Sequence, residues 1–178
     1  EAILGRDQQI RGEIFKINDR IKAFVLDVRP EMKGPQIFLS RTNNKFLEKL
    51  FEMEAPEIAS GTVEIKSIAR EAGARSKIAV YSNDDHVDPV GSCVGQKGIR
   101  VTTVMSELGG EKIDIIPWSA DPATYISSSL SPAHVLDIQV IDEEHKAIVE
   151  VASDQLSLAI GKGGQNVRLA AKLTGWRI

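Results

Sequence analysis

Cysteine is nearly absent from this 178-residue chain. Cys93 stands alone, which excludes an internal disulfide framework and any multi-cysteine metal site. Its apolar neighbours predict a small buried side chain and not a nucleophile. Aromatic residues make up 5% of the chain, too few for a surface that works mainly by stacking bases. No apolar run approaches the roughly 18 residues that span a bilayer, and no charged-then-apolar signal segment stands at the start, so a cytoplasmic protein is expected. A general positive charge is missing too. The net charge is −3, and residues 1–43, 44–119 and 120–178 hold eight Lys/Arg against six Asp/Glu, nine against twelve, and five against seven. Any affinity for nucleic acid must therefore come from local features, meaning amide-lined loops and a few placed basic groups.

What the chain does have is a repeated glycine motif. Val94-Gly95-Gln96-Lys97-Gly98-Ile99 returns as Ile160-Gly161-Lys162-Gly163-Gly164-Gln165-Asn166-Val167. Each copy reads as a helix stopped by glycine and another begun. A helix N-terminus carries uncovered backbone N–H groups and positive potential, and glycine bars nothing from approaching, so the loop suits a phosphate. Two glycines three apart also occur in ordinary helix-to-helix turns. The second copy, in matching surroundings, decides against that for both.

Taken in order, residues 1–43 read as strands, with β-branched runs at Ile10, Glu13 to Ile17 and Ile21 to Val28, a turn over Pro30 to Pro35, and a strand at Gln36 to Ser40. That is too few strands to close a barrel, so the segment is expected to be the back portion of an all-β module. A helix follows from about Asn44 to Met53, with an asparagine as N-cap and Pro56 as its stop. Strands over Thr62 to Ile68 and Lys77 to Tyr81 flank the Ala72-Gly73-Ala74 turn. Asp88-Pro89 then starts a short helix into Gly95. The next helix, Gly98 to Leu108, is expected to bury Ile99, Val101, Val104, Met105 and Leu108, and Lys112 to Ile116 is a strand. From Asp121-Pro122 the same order repeats: a helix to about Leu130, strands over Val135 to Ile141 and Ala147 to Val151, a short helix into Gly161, a helix ending at Gly175, and a last strand beginning at Trp176. The Gly-x-x-Gly loops are 66 residues apart, as in a duplicated unit. The connector, Trp118 to Ala120, is too short to let the units tumble independently.

Helix-strand-strand-helix, Gly-x-x-Gly, helix-strand is the order of a KH module of the type common in bacteria. Two such units behind a β-rich segment, with Leu39-Ser40-Arg41-Thr42, Ala55-Pro56-Glu57-Ile58, Arg75-Ser76-Lys77-Ile78-Ala79-Val80, Asp88-Pro89-Val90-Gly91, Glu107 to Ile115 and Gly163 to Ala170, resemble bacterial transcription elongation factors of the NusA family. The resemblance spans nearly the whole chain. It implies an α+β architecture: residues 1–43 as the C-terminal part of an S1-type OB barrel, 44–119 as a first KH domain, and 120–178 as a second, cut before its last strand is complete. It also implies single-stranded RNA, the nascent transcript, as ligand, and pausing, termination and antitermination as function. RNA polymerase, through a separate N-terminal domain, and other Nus-type factors are partners of the full-length family members.

In KH recognition the loop and its flanking helices press on about four nucleotides. On that model Val94, Gly95, Gln96, Lys97, Gly98, Ile99 and Arg100, and Ile160, Gly161, Lys162, Gly163, Gly164, Gln165, Asn166 and Arg168, are the RNA-binding residues. Val94, Ile99, Ile160 and Val167 line the grooves or serve as plain core. Arg100 and Arg168 are read as RNA contacts in preference to a solvated helix face. Arg70, Arg75 and Lys77 are read as a solvated hairpin edge that deters strand pairing, and Arg41 either contacts RNA or braces the junction. No catalytic, metal or cofactor site is expected. Gly163 follows Lys162 where a P-loop needs Ser or Thr, Asp84-Asp85-His86 with Asp88 reads as a polar turn and helix cap, and His134, His145 and Ser127-Ser128-Ser129 lack ligand or nucleophile context. Two rivals remain: a protein-interaction scaffold, and the KH/S1 accessory region of an RNA-processing enzyme. In such enzymes the KH module usually occurs singly and before the barrel, the reverse of the order here.

Overall fold

The computed structural model describes residues 1–178. Its first sheet joins β1 (Ala2–Leu4), β2 (Phe24–Val28) and β3 (Ile37–Ser40) in the order β1-β3-β2, with β1 parallel and β2 antiparallel to β3. The expected strand at Glu13 to Ile17 is not there, and Ile14 and Ile17 are 85% and 93% exposed. The cause is local. Positive φ at Gly12 and Asn18 turns the chain on both sides, and the Asp19 carboxylate accepts the Lys16 N–H at 2.8 Å, a side-chain bond that competes with strand pairing. The strand at Ala2–Leu4 was not anticipated; three residues give no period to read, and β3 supplies the pairing.

The first helix-strand unit begins with α1 (Asn44–Glu54), whose N-cap Asn43 accepts the Lys45 N–H at 2.8 Å. After α2 (Pro56–Ala59), the hairpin of β4 (Val63–Glu71) and β5 (Arg75–Ser82) leads to α3 (Pro89–Val94), α4 (Ile99–Glu107) and β6 (Lys112–Pro117), which pairs parallel to β5. One face of this sheet meets the helices in a core of Phe46, Leu47, Leu50, Phe51, Val63, Ile78, Val80, Cys93, Val104 and Leu108. The second unit repeats the order with α5 (Pro122–Ser129), β7 (Val135–Ile141), β8 (Lys146–Val151), α6 (Leu156–Ile160) and α7 (Gln165–Thr174). Asp121 caps α5 through the Thr124 N–H and hydroxyl at 3.2 and 2.5 Å. At the end of the chain Arg177 bridges Lys146 in parallel, as β6 does β5, and Trp176 stacks on His145 with ring centroids 3.9 Å apart. No helix is long and apolar enough to cross a membrane.

The two units form one packed body. Leu169 and Leu173 of α7 and Tyr125 of α5 bury themselves with Ala69, Ala79 and Ile116, on the sheet face opposite the first core. The Leu173 carbonyl accepts from the Ser67 hydroxyl at 2.9 Å and from the Tyr125 hydroxyl at 3.2 Å. Residues 76–80 of β5 are consequently buried on both faces.

This packing overturns the reading of Arg70, Arg75 and Lys77 as a solvated edge. Arg70 donates to the fully buried Glu111 carboxylate at 3.0–3.2 Å, and the Ser76 hydroxyl and Gly73 N–H converge on that carboxylate at 2.6 and 2.7 Å. Arg75 and Lys77 both meet Asp114 at 2.9 Å, and the Lys77 ammonium crosses to the Ser131 carbonyl at 2.8 Å. Burial pulls the Lys77 pKa below its ordinary value, with Asp114 opposing. The acids that make these pairs lie 37 to 41 residues further along the chain, beyond any local pattern.

Arg41 braces the junction between the first sheet and the first unit. Its guanidinium is buried; it takes Glu13 in a two-oxygen fork at 2.7 and 2.9 Å, the Glu107 carboxylate at 3.1 Å and carbonyl at 2.8 Å, and the Lys22 carbonyl at 2.5 Å. Burial alone would lower its pKa, but the Glu13 and Glu107 carboxylates outweigh that and raise it above its ordinary value. Truncating one member of such a set strands the others. Arg41→Ala is expected to cost about 2–4 kcal/mol in urea unfolding, whereas Lys49→Ala, in the exposed Lys49–Glu52 pair, should cost less than about 0.5 kcal/mol.

Candidate nucleic-acid interface

Both Gly-x-x-Gly loops trace the same backbone. In the first, Gly95 has φ +78° and ψ +171°, Lys97 φ +55° and Gly98 φ +75°; in the second, Gly161 has φ +80° and ψ +167°, Gly163 φ +62° and Gly164 φ +74°. The first glycine closes the preceding helix, its N–H donating at 2.9 Å to Gly91 in one copy and Ser157 in the other. Its carbonyl then accepts the N–H of the fourth residue, at 3.0 and 3.1 Å.

The first and fourth residues of each loop are glycine for different reasons. A Cβ on Gly95 would meet Arg100 backbone and side-chain atoms at 2.6–2.9 Å, and one on Gly161 would meet Asn166 at 2.6–2.7 Å. These positions let the loop press against the first turn of the next helix. At Gly98 and Gly164 the nearest atoms stand 3.9 and 4.0 Å away; a side chain there would point into open space at the mouth of α4 or α7. Neither helix has a side-chain cap or an acidic residue in its first turn. The uncovered amides and the dipole therefore present a place for an anion.

The expected site residues divide into those at the surface and those turned inward. Gln96, Lys97, Lys162 and Gly163 are exposed, and Val94, Val167 and Gln165 are half-buried. Ile99, expected in the core, is 65% exposed, and Ile160 is 44% exposed, because each faces outward where its helix meets the loop. Beside loop 1 lies an open polar cleft of about 840 Å³, reaching from Gln96 and Lys97 along Thr102, Thr103 and Ser106. Beside loop 2 lies an apolar one of about 460 Å³ that includes Val149, Val151, Leu156, Ile160 and Val167.

Asn166 does not face outward. It is 2% exposed, and its amide donates at 3.0 Å to both the Leu130 and Ala159 carbonyls, fastening α7 to α6 and to the end of α5. Arg100, at the same place in loop 1, donates to the Ser92 carbonyl at 2.7 Å and to Glu57 at 2.8 Å. A bond from its own backbone N–H and the Arg100 guanidinium hold the Glu57 carboxyl below the usual range. Arg168 donates to the Gly163 carbonyl at 3.0 Å and to Glu71 at 2.9 and 2.5 Å. Both arginines are paired with carboxylates, Arg168 while 43% of its side chain stays exposed, and nothing local in the sequence signals these partners, 43 and 97 residues away. Burial pushes the Cys93 thiol up to about 12, so beneath loop 1 it stays protonated and inert.

These contacts separate folding from surface effects. Gly95→Ala and Gly161→Ala are expected to destabilise the chain by more than about 2 kcal/mol, through overpacking added to left-handed strain, whereas Gly98→Ala and Gly164→Ala should cost about 1–2 kcal/mol, for strain alone. Thermal unfolding of the four variants checks the contrast.

Comparison with known proteins agrees with this geometry. Residues 41–118 match the model of the NusA-like first KH domain and residues 122–178 that of the NusA-like second KH domain. The whole chain aligns at 57% identity with the transcription termination/antitermination protein NusA of Bacillus subtilis, covering 48% of it. With the proteins of that name from Thermus thermophilus and Mycobacterium tuberculosis the identities are 53% and 51%, covering 46% and 52% of them. The chain thus spans about half the length of these relatives. The crystal structure of APE1850 superposes with a TM-score of 0.52 at 21% identity, over 71% of this chain and 86% of that one, a likeness of fold. Two NusA-like KH domains in their family order, within a chain that aligns from end to end, make this chain a member of the NusA family.

Proposed function

We propose that this chain binds single-stranded RNA through its two Gly-x-x-Gly loops, as the RNA-binding part of a transcription factor that acts in termination and antitermination. The observation that carries the reading is the pair of identically wound loops, each opening an uncapped helix, on one packed body. The chemistry fits a net charge of −3: backbone amides with Lys97 and Lys162 receive phosphates, and no general positive field is required. Gly95, Gly98, Gly161 and Gly164 admit the RNA backbone, and Gln96, Ile99, Ile160 and Gln165 flank it. Arg100 and Arg168 keep further N–H groups for phosphate beside their carboxylate bonds. Asn166 supports the second site from beneath.

In this reading residues 1–43 are the C-terminal part of an S1-type barrel, 44–119 the first KH domain and 120–178 the second. The names of the relatives support the role in transcription termination and antitermination; the reading adds the nascent transcript as ligand and RNA polymerase and other Nus-type factors as partners of the longer protein. Cytoplasmic work on a transcript follows from the same reading, and no catalysis is assigned to the chain.

Fluorescence anisotropy of a short labelled single-stranded RNA tests this, with the parent, Gly98→Asp, Gly164→Asp and the double variant at two salt concentrations. Aspartate tolerates a left-handed backbone better than most residues and sets a carboxylate where phosphate should lie. Folded single variants of reduced affinity and a folded double variant that has lost binding are the expected result. Unchanged binding by the folded double variant would move the site to the first sheet, and no binding by the parent would favour a protein-interaction scaffold.

A further inference from the structure

Arg168 and Glu71 form the one side-chain ion pair that joins the two helix-strand units. Glu71 ends β4 of the first unit; Arg168 lies in the first turn of α7 in the second. The guanidinium does two things at once. Its Nε and Nη2 donate to Glu71 Oε1 at 2.9 and 2.5 Å, while Nη1 donates to the carbonyl of Gly163, the third residue of loop 2, at 3.0 Å. The other carboxylate oxygen, Oε2, is buried without a partner, so Arg168 is the only group that Glu71 engages through its side chain.

Loop 1 is built differently. Its third residue is Lys97, and Thr102, at the place of Arg168, makes no side-chain bond to it. Loop 2 carries consecutive glycines, Gly163-Gly164, which leave a larger set of backbone conformations to be restricted when the loop is ordered. A guanidinium anchored on a neighbouring unit removes much of that freedom before any ligand arrives.

We infer that Glu71 is a positioning residue for the second RNA site: through Arg168 it clamps the Gly163 carbonyl, so that the first KH domain holds the loop of the second ready for a phosphate. The inference rests on the RNA-binding reading above, and it makes a prediction opposite to simple electrostatics. Removing a negative charge near an RNA site should by itself strengthen binding; removing this one weakens it. It also ties the second site to the first domain by a named contact and not by proximity alone.

The test combines amide hydrogen exchange by NMR at residues 162–165 with RNA anisotropy, using Glu71→Ala and Arg168→Lys in the parent, Gly98→Asp and Gly164→Asp backgrounds. Arg168→Lys keeps the charge and loses the fork. Both variants should speed exchange at residues 162–165 severalfold and lower RNA affinity roughly threefold in the parent and in Gly98→Asp, the size of one partly exposed pair. In Gly164→Asp they should lower it no further. Unchanged exchange at residues 162–165, or tighter RNA binding by Glu71→Ala, overturns the inference. Faster exchange that spreads along Leu169 to Leu173 also overturns it, since Glu71 would then merely dock the two units. A parent that binds no RNA removes the functional reading, and the exchange result still decides the clamp.

Discussion

Helix α7 seated on the back of the β4–β5–β6 sheet is the contact on which the rest of the molecule depends. Ala69 and Ala79 are small enough to admit a helix at close range, and Leu169 and Leu173 fill the space. Each buried leucine contributes on the order of 2 kcal/mol. Tyr125 closes the flank, and the Leu173 carbonyl, at the end of α7, receives the hydroxyls of Ser67 and Tyr125. Because α7 opens at loop 2 and the same sheet supports α4, which opens at loop 1, this contact fixes the distance and orientation between the loops. On the proposed function, a strand engaged at one loop would already be at high local concentration for the other.

Charge has a second role around that contact. Arg70 on Glu111, Lys77 on Asp114 and Ser131, and Arg41 on Glu13 and Glu107 are buried or nearly so, and each links segments far apart in sequence. Taking such groups out of water offsets most of their mutual attraction, so they add little net stability while making any other arrangement costly. Three basic side chains, those of Arg41, Arg70 and Lys77, are thereby taken inside. Few cations remain at the surface near the loops, and the proposed function accordingly gives backbone amides the greater share of phosphate recognition.

The sequence disclosed what local chemistry controls. Asn43 caps its helix as expected and Asp121-Pro122 starts one, though Asp88, read as a cap, makes no side-chain cap bond; the hairpin turns at Gly73, and the glycine loops fall between the expected helices because a left-handed residue must stand there. Longer-range facts were not legible. Nothing near Lys77 signals Asp114, and nothing near Arg168 signals Glu71. Ile99 looked like core by helical spacing, yet the start of a helix has no neighbour on that side, and Asn166 looked like surface although carbonyls at the ends of α5 and α6 take its amide. In residues 11–23, β-branched residues suggested strands that Gly12, Asn18 and Asp19 prevent. Periodicity reports what a stretch would bury if a partner were present; it does not name the partner.

RNA affinity measured against RNA length, for this chain and for Gly164→Asp, tests the central claim most directly. Two loops on one rigid body predict weak binding up to the roughly four nucleotides one KH site holds, then a steep gain once a strand reaches both sites. That gain should vanish in Gly164→Asp. A parent curve that levels off at the length of one site, or a step that survives Gly164→Asp, would contradict the account.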